Sequence, residues 1–193
     1  MLEKNHINNQ QIPLLSNHSQ INQLAEKYST IAIDVLLNNA GISGDTKNQI
    51  FGTMNYDVYH KVLAVNTIGP LKMAEAFYPH VKASEQKKII TVSSSEGSIA
   101  TADKRGGGRL FFYRSSKSAL NMVMVNLALQ LKSRGVAVGM INPGATDTDF
   151  MTGLPFPLRK TEVAVSDMIR NIDSITVENT GAYLNYNGKT VPW

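Results

Sequence analysis

The 193-residue chain contains no cysteine, which excludes disulfides, thiolate metal sites and a cysteine nucleophile. Its four histidines, His6, His18, His60 and His80, are scattered without HExxH-type spacing, so the sequence offers no metal site. A basic stripe interleaved with aromatics is also lacking. The net charge of +4 is spread along the chain, and its densest cluster is Asp103-Lys104-Arg105 followed by Gly106-Gly107-Gly108-Arg109. That argues against nucleic-acid binding. No run approaches the roughly 18–20 apolar residues needed to cross a bilayer, and the opening MLEKNHINNQQ is too polar for a signal peptide. These absences predict a soluble, cytoplasmic protein with no membrane partner. The last absence concerns the backbone: no glycine precedes Gly41, so no glycine-rich phosphate turn is written before that point.

What is present is an ordinary globular composition, 42% hydrophobic and 18% charged, enough for one domain with a real core. That domain is expected to span residues 1–193, with 1–11 as a flexible arm. IPLLS (12–16) reads as a short strand, and SQINQLAEKY (19–28) has helical spacing through Ile21, Leu24, Ala25 and Tyr28. IDVLL (33–37) is an apolar run of the kind a parallel strand buried on both faces gives. A helical stretch from Tyr56 continues through GPLKMAEAFYPHVKAS, and KKIITVSS (87–94) is a strand. YRSSKSALNMVMVNLALQLKSRG (113–135) is the longest helix, with Lys132 and Arg134 in its last turn and Gly135 at its end. VAVGMINPG (136–144) is a strand, TEVAVSDMIRNIDSI (161–175) a helix, and GAYLNYNGKTVPW a closing strand with an Asn187-Gly188 turn. Strands alternating with helices imply parallel βαβ units in an open α/β sheet.

In such a sheet ligands bind beyond the carboxyl ends of the strands. Three of these ends carry polar or glycine-containing clusters: Asn38-Asn39-Ala40-Gly41, Ser93-Ser94-Ser95 and Asn142-Pro143-Gly144. Tyr113 and Lys117 open the long helix at i,i+4 spacing, which puts phenol and ammonium on one face. A nearby ammonium favours the phenolate, so Tyr113 is expected to work as an acid or base well below the usual tyrosine pKa of about 10. A serine hydroxyl at the neighbouring strand end would hydrogen-bond a carbonyl or hydroxyl. Together these groups suit hydride transfer coupled to proton transfer. The residues alone leave alternatives open: Asn38-Asn39 as a plain turn, Ser93 or Ser95 in place of Ser94, and Asn66 as an ordinary helix residue. The three glycines at 106–108 follow no strand end and read as a flexible insert rather than a phosphate loop. ALNMVMVNLALQL is apolar nearly all round, which suggests one face on the sheet and another on a partner subunit.

NNAG, VSSSEGSIA, YRSSK and NPGATDTDF, in this order, resemble the short-chain dehydrogenase/reductase family. GSIA with YRSSKSALN and the ending NYNGKTVPW look like its C-factor and sniffer-type carbonyl reductase branch. The resemblance implies a Rossmann-like, doubly wound parallel sheet without its first two strands and first helix. By resemblance Tyr113 would be the acid/base and would also contact the cofactor, and Lys117 would lower its pKa and hold the nicotinamide ribose of NAD or NADP. Ser94, three residues before Gly97, would orient the substrate carbonyl. Asn66 would bend its helix and position a water that feeds protons to Lys117. Asn38, Ala40 and Gly41 would flank the adenine ribose. Pro143, Gly144 and Thr146 would face the nicotinamide, and Thr148 its carboxamide or phosphate side. FMTGLPFPLRK (150–160), with Phe150, Leu154, Phe156 and Leu158, would form an apolar substrate lid. The substrate would be a small carbonyl or alcohol, and the assembly a homodimer or homotetramer.

Two family features are missing from the sequence. There is no TGxxxGxG turn to hold the pyrophosphate, and Leu14, Leu15, Ser16 and Asn17 stand where an acidic residue is expected. The alternative to an oxidoreductase is therefore a non-catalytic interaction or signalling protein of the C-factor kind, or a truncated gene product. The missing central strand would leave IDVLL with an open hydrophobic edge. IPLLS is expected to move in and pair with residues 34–37.

Overall fold

Asn17 opens the first helix, its side chain accepting a hydrogen bond from the Gln20 amide at 3.2 Å, the task for which a short polar N-cap is suited. The computed structural model describes residues 15–104, 108–151 and 157–193. Helix α1 (His18–Lys27) buries Ile21 and Ala25, one turn apart, and leads to strand β1 (Val35–Asn38). Asn55 caps α2 (Tyr56–Leu63) through the Asp57 and Val58 amides. That helix passes through a π turn (Ala64–Ile68) into α3 (Gly69–Lys82). Pro70 stands in the first turn of α3. Then follow β2 (Lys88–Val92), α4 (Phe111–Lys132), β3 (Ala137–Asn142), α5 (Thr161–Ser174) and β4 (Tyr183–Asn185).

The four strands form one parallel sheet in the order β1-β2-β3-β4. Side chains alternate across it, so two cores form. Leu36, Ile89, Val138 and Met140 meet Ala74, Phe77 and Val81 of α3 and Leu120, Met124 and Ala128 of α4. On the other face Ile90, Ala137 and Ile141 meet Ile175, with Met168 and Ile172 of α5 packed against them. Every residue of β3 is buried, which explains why its sequence reads as a continuous apolar run. The register aligns Asn38 with Thr91 and Val92 with Ile141. The carboxyl ends of β1, β2 and β3 therefore open side by side, and their polar clusters share one edge.

The IPLLS expectation is not met. Residues 12–14 lie outside the described residues, and Leu15 and Ser16 are helical. A Cβ on Gly69 would stand 3.0 Å from Leu15, so this turn packs on the start of α3. Among the described residues β1 pairs with β2 alone, and Leu37 on that strand is 42% exposed. The packing of Leu15 on Gly69 prevails over strand propensity in the two described residues of this stretch.

Gly139 in β3 tests the tightness of the second core. A Cβ there would lie 3.2 Å from Ile175 Cγ1 and Cγ2 and closer still to Cδ1, and Ile175 is fully buried. Gly139→Ala is expected to destabilise the fold by about 1–3 kcal/mol. Adding Ile175→Val, which removes Cδ1, should recover part of that loss in urea midpoints. Additive losses in the double variant would contradict this packing.

Candidate active site

Where β2 ends, its next two serines diverge. Ser93 is buried and its Oγ donates to Asn121 Oδ1 at 2.6 Å, so it is occupied by packing. Ser94 Oγ accepts from the Glu96 amide at 3.2 Å, capping a short 3-10 turn (Ser95–Gly97), and also hydrogen-bonds the Tyr113 phenol. Gly97 makes this possible: a Cβ there would stand 2.9 Å from the Lys117 carbonyl carbon and Cβ. With only hydrogen at Gly97, the turn lies flush on α4, held by Ser118 Oγ donating to Gly97 O at 2.9 Å. That close approach brings Ser94 to Tyr113, one turn back along the helix.

Lys117 is 3% exposed, and its Nζ donates to Val92 O at 2.8 Å and lies 5.7 Å from the Tyr113 ring centroid. Burial brings its pKa down to about 8. Burial likewise pushes the Tyr113 phenol up to about 12, opposed by the Ser94 hydrogen bond and reinforced by Glu96 and Tyr183. The expectation of a phenol held well below its ordinary value is thus not met. The reason is geometric: the ammonium is directed at a backbone carbonyl, and desolvation dominates both groups.

Asn66, fully buried in the π turn, spends its amide on backbone and helix. Its Oδ1 accepts from the Ile42 amide at 2.8 Å, and its Nδ2 donates to Ile42 O at 2.8 Å and Ser116 Oγ at 2.9 Å. Its side chain therefore fixes the loop after β1. A Cβ on Gly41 would fall 3.4 Å from Asn66 Oδ1 and 3.5 Å from Lys117 Nζ, so the loop after β1 runs directly beside both groups. Asn38 is buried, its Nδ2 lacking a hydrogen-bond partner among the described residues, whereas Ala40 is exposed.

On the β3 side, Gly144 has φ +76°, and a Cβ there would stand 3.0 Å from Arg159 Cδ and Tyr186. Thr146 Oγ1 donates to Gly144 O at 3.2 Å, and the exposed Thr148 donates to Thr146 O at 3.4 Å. Arg159 holds this loop by donating to Pro143 O at 2.6 Å, pairing with Asp167 and stacking 4.0 Å over Tyr186. Of the expected lid, the Phe150 ring lies 5.4 Å from that of Tyr113. Leu154 and Phe156 lie outside the described residues, and Leu158 is half-buried.

The structure thus brings together Ser94, Tyr113 and Lys117, with Asn66 and Gly41 behind them and Pro143, Gly144 and Thr146 on the neighbouring strand end. Sequence reasoning missed three supports. Tyr183 donates its hydroxyl to Ser94 O, Arg159 clasps the β3 loop, and Gln49 Oε1 accepts from the Phe112 amide at 2.8 Å. None lies in a spacing pattern, and each acts across the fold. Among the described residues no group of acidic and histidine side chains could hold a metal, and no helix is long and apolar enough to cross a membrane.

For a nicotinamide cofactor the fit is one-sided. Lys117 Nζ, beside the bare Gly41, offers a donor near Tyr113, and Asn38 Nδ2, without a hydrogen-bond partner among the described residues, offers another at the end of β1. Among the described residues no glycine-rich turn at a helix N-terminus offers a pyrophosphate cradle.

Comparison with known proteins agrees with this geometry. The pattern of the family described as short chain dehydrogenase matches residues 13–155. The chain is 32% identical over 169 residues to the C-signal protein of Myxococcus xanthus, covering 88% of this chain and 98% of that protein. It is 30% identical over 183 residues to 1-hydroxy-2-glutathionyl-2-methyl-3-butene dehydrogenase of a Rhodococcus species, covering 93% and 77%. The NADPH-bound carbonyl reductase from chicken fatty liver superposes with a TM-score of 0.82 at 26% identity, over 93% of this chain and 75% of that one. The Sniffer carbonyl reductase of Drosophila melanogaster superposes at 0.81 with 27% identity and the same coverage. With its motifs assembled at one sheet edge and most of its length matched, the chain belongs to the short-chain dehydrogenase family, of the C-factor and sniffer type.

Proposed function

We propose that the chain is an NAD(P)-dependent oxidoreductase interconverting a small carbonyl and its alcohol, with Tyr113 as the acid/base. The observation that carries this reading is the Ser94–Tyr113 hydrogen bond with Lys117 one turn further along the same helix. When bound, the cofactor would supply or accept the hydride. A carbonyl oxygen placed between Ser94 Oγ and the Tyr113 hydroxyl would accept two hydrogen bonds, which orients the carbonyl and polarises it. The phenol O–H then breaks and its proton goes to that oxygen, completing the alcohol. A phenol raised to about 12 is held protonated at neutral pH, the form that can donate this proton. Positive charge on Lys117 stabilises the phenolate left behind. Lys117 Nζ and the Pro143-Gly144-Thr146 loop are the groups that would hold the nicotinamide and its ribose, with Thr148 beside them, and Asn38, Ala40 and Gly41 would flank the adenine ribose. The exposed Met122 and Leu129 on the outer face of α4 suit self-association as a homodimer or homotetramer.

One observation favours a second reading, an interaction or signalling role. The C-signal protein of Myxococcus xanthus is 32% identical to this chain across 98% of its own length.

Titration of the purified chain with NADPH and NADH, followed by turnover of a small aromatic carbonyl, tests the first reading. Tyr113→Phe should lower kcat by about 10²–10⁴-fold, the span of a general acid, while leaving cofactor affinity within about threefold. Neither binding nor turnover at millimolar cofactor would refute it in favour of the second.

The buried lysine makes a separate prediction. Its folded pKa of about 8 lies below the ordinary 10.5, so between these values the unfolded chain binds a proton that the folded chain does not. Stability therefore rises with pH across that window and is lost as pH falls toward 8. Tyr113 acts oppositely, but only above its ordinary value of 10. Urea midpoints between pH 8 and pH 10 should climb more steeply for the native chain than for Lys117→Met. Equal slopes would show that Lys117 keeps its ordinary pKa in the fold.

A further inference from the structure

Gln49 occupies an inverted local pattern. It is 4% exposed, while its neighbours Ile50 and Phe51 are 58% and 84% exposed. Hydrophobicity alone would bury the isoleucine and phenylalanine and leave the amide in water. Burying an amide without partners costs several kcal/mol, of the order of 2–7 kcal/mol, so this placement requires that its hydrogen-bonding groups be used. They are used on two elements. Nε2 donates to Ser43 O at 2.9 Å, to Gly44 O and, at the limit, to Asp45 O at 3.4 Å. Oε1 accepts from the Phe112 amide at 2.8 Å.

Phe112 lies in the first turn of α4, whose amides have no partner within the helix. The residue before the helix cannot supply one: Leu110 stands in the left-handed region at φ 59° and its side chain makes no cap. The cap comes instead from a glutamine 63 residues away in sequence. Gly44, at φ +63°, lets the loop press on α2, where a Cβ would meet Val58 Cγ1 at 3.1 Å. Tyr59 of α2 stacks on Phe112 with centroids 4.7 Å apart and shares a 2.8 Å hydrogen bond with Ser115. Asn66 grips the same loop one residue earlier, at Ile42, and reaches α4 through Ser116 Oγ, which donates to Tyr113 O at 2.7 Å.

We propose that Gln49 is a positioning residue: with Asn66 it brackets the loop after β1 against the first turn of α4 and so fixes the place of Tyr113. The two amides grip four successive loop residues, Ile42 to Asp45, and two points on α4, on either side of Tyr113. The loop that follows NNAG and the helix that carries the phenol thus move as one body. The consequence for turnover rests on the reading of Tyr113 as acid/base; the clamp itself rests on the hydrogen bonds.

Two variants separate the halves of the clamp. Gln49→Met keeps the length and loses both ends. Gln49→Glu keeps the acceptor for Phe112 and loses the donors to the loop. Amide hydrogen exchange followed on peptides covering residues 42–45, 110–116 and 137–142 reads the loop, the helix start and the global fold. Gln49→Met should speed exchange at the helix start by about tenfold, the loss of one net hydrogen bond, with β3 unchanged. Its kcat should fall at least about tenfold while KM stays within about threefold, because geometry at the phenol is lost rather than binding. Gln49→Glu should keep the helix start protected and loosen the loop alone. Native protection at the helix start together with native kcat in Gln49→Met would overturn the proposal. Should Gln49→Met lose protection in β3 as well, Gln49→Glu decides: loosening of both peptides, or of neither, overturns the clamp. A native chain without turnover refutes the proposed activity, and the exchange results then judge the clamp alone.

Discussion

One buried amide holds the site together. Asn66 uses both its oxygen and its nitrogen on the backbone of Ile42 and reaches Ser116 with the second N–H. It can do so because the chain is π-wound at Ala64–Ile68, a distortion that sets its side chain apart from the regular helical array and commonly marks functional positions. Three elements meet there: the helix running from α2 into α3, the loop leaving β1, and the face of α4 that carries Tyr113. That junction ties the helix bearing the phenol to the β1 loop, while Ser118 on Gly97 O and Lys117 on Val92 O tie it to the end of β2.

A second constraint is desolvation. The same close packing that brings Ser94 to Tyr113, through the bare Gly97, takes Lys117 and the phenol out of water. Each group is driven toward its neutral form, Lys117 down to about 8 and Tyr113 up to about 12. The pair is thus poised in the sense opposite to the one that charge proximity alone would give. Two nearby ionisable groups need not help each other when burial exceeds their attraction.

Much of this was legible in the sequence because it is local. Apolar runs located β2 and β3, the long apolar stretch located α4, and Ser94, Tyr113 and Lys117 stood at strand and helix ends where a parallel sheet opens. What was not legible acts across the fold. IPLLS carries strand-like residues, yet Asn17 caps a helix and Leu15 packs on Gly69. Gln49 sits in a polar stretch, and only the arrival of Phe112 gives it a role. Tyr183 reads as a core residue of the last strand until its hydroxyl meets Ser94 O. The pKa directions depend on burial, which spacing does not encode.

The resulting site is asymmetric, with reacting groups assembled at one end and no pyrophosphate cradle among the described residues. On the proposed function, affinity for the cofactor resides in the nicotinamide and ribose half. Isothermal titration of the chain with reduced nicotinamide mononucleotide beside NADPH tests this directly. The account predicts dissociation constants within about tenfold of each other, a difference of about 1.4 kcal/mol. NADPH binding a thousandfold more tightly, about 4 kcal/mol, would contradict it and reveal a phosphate-binding surface elsewhere on the chain.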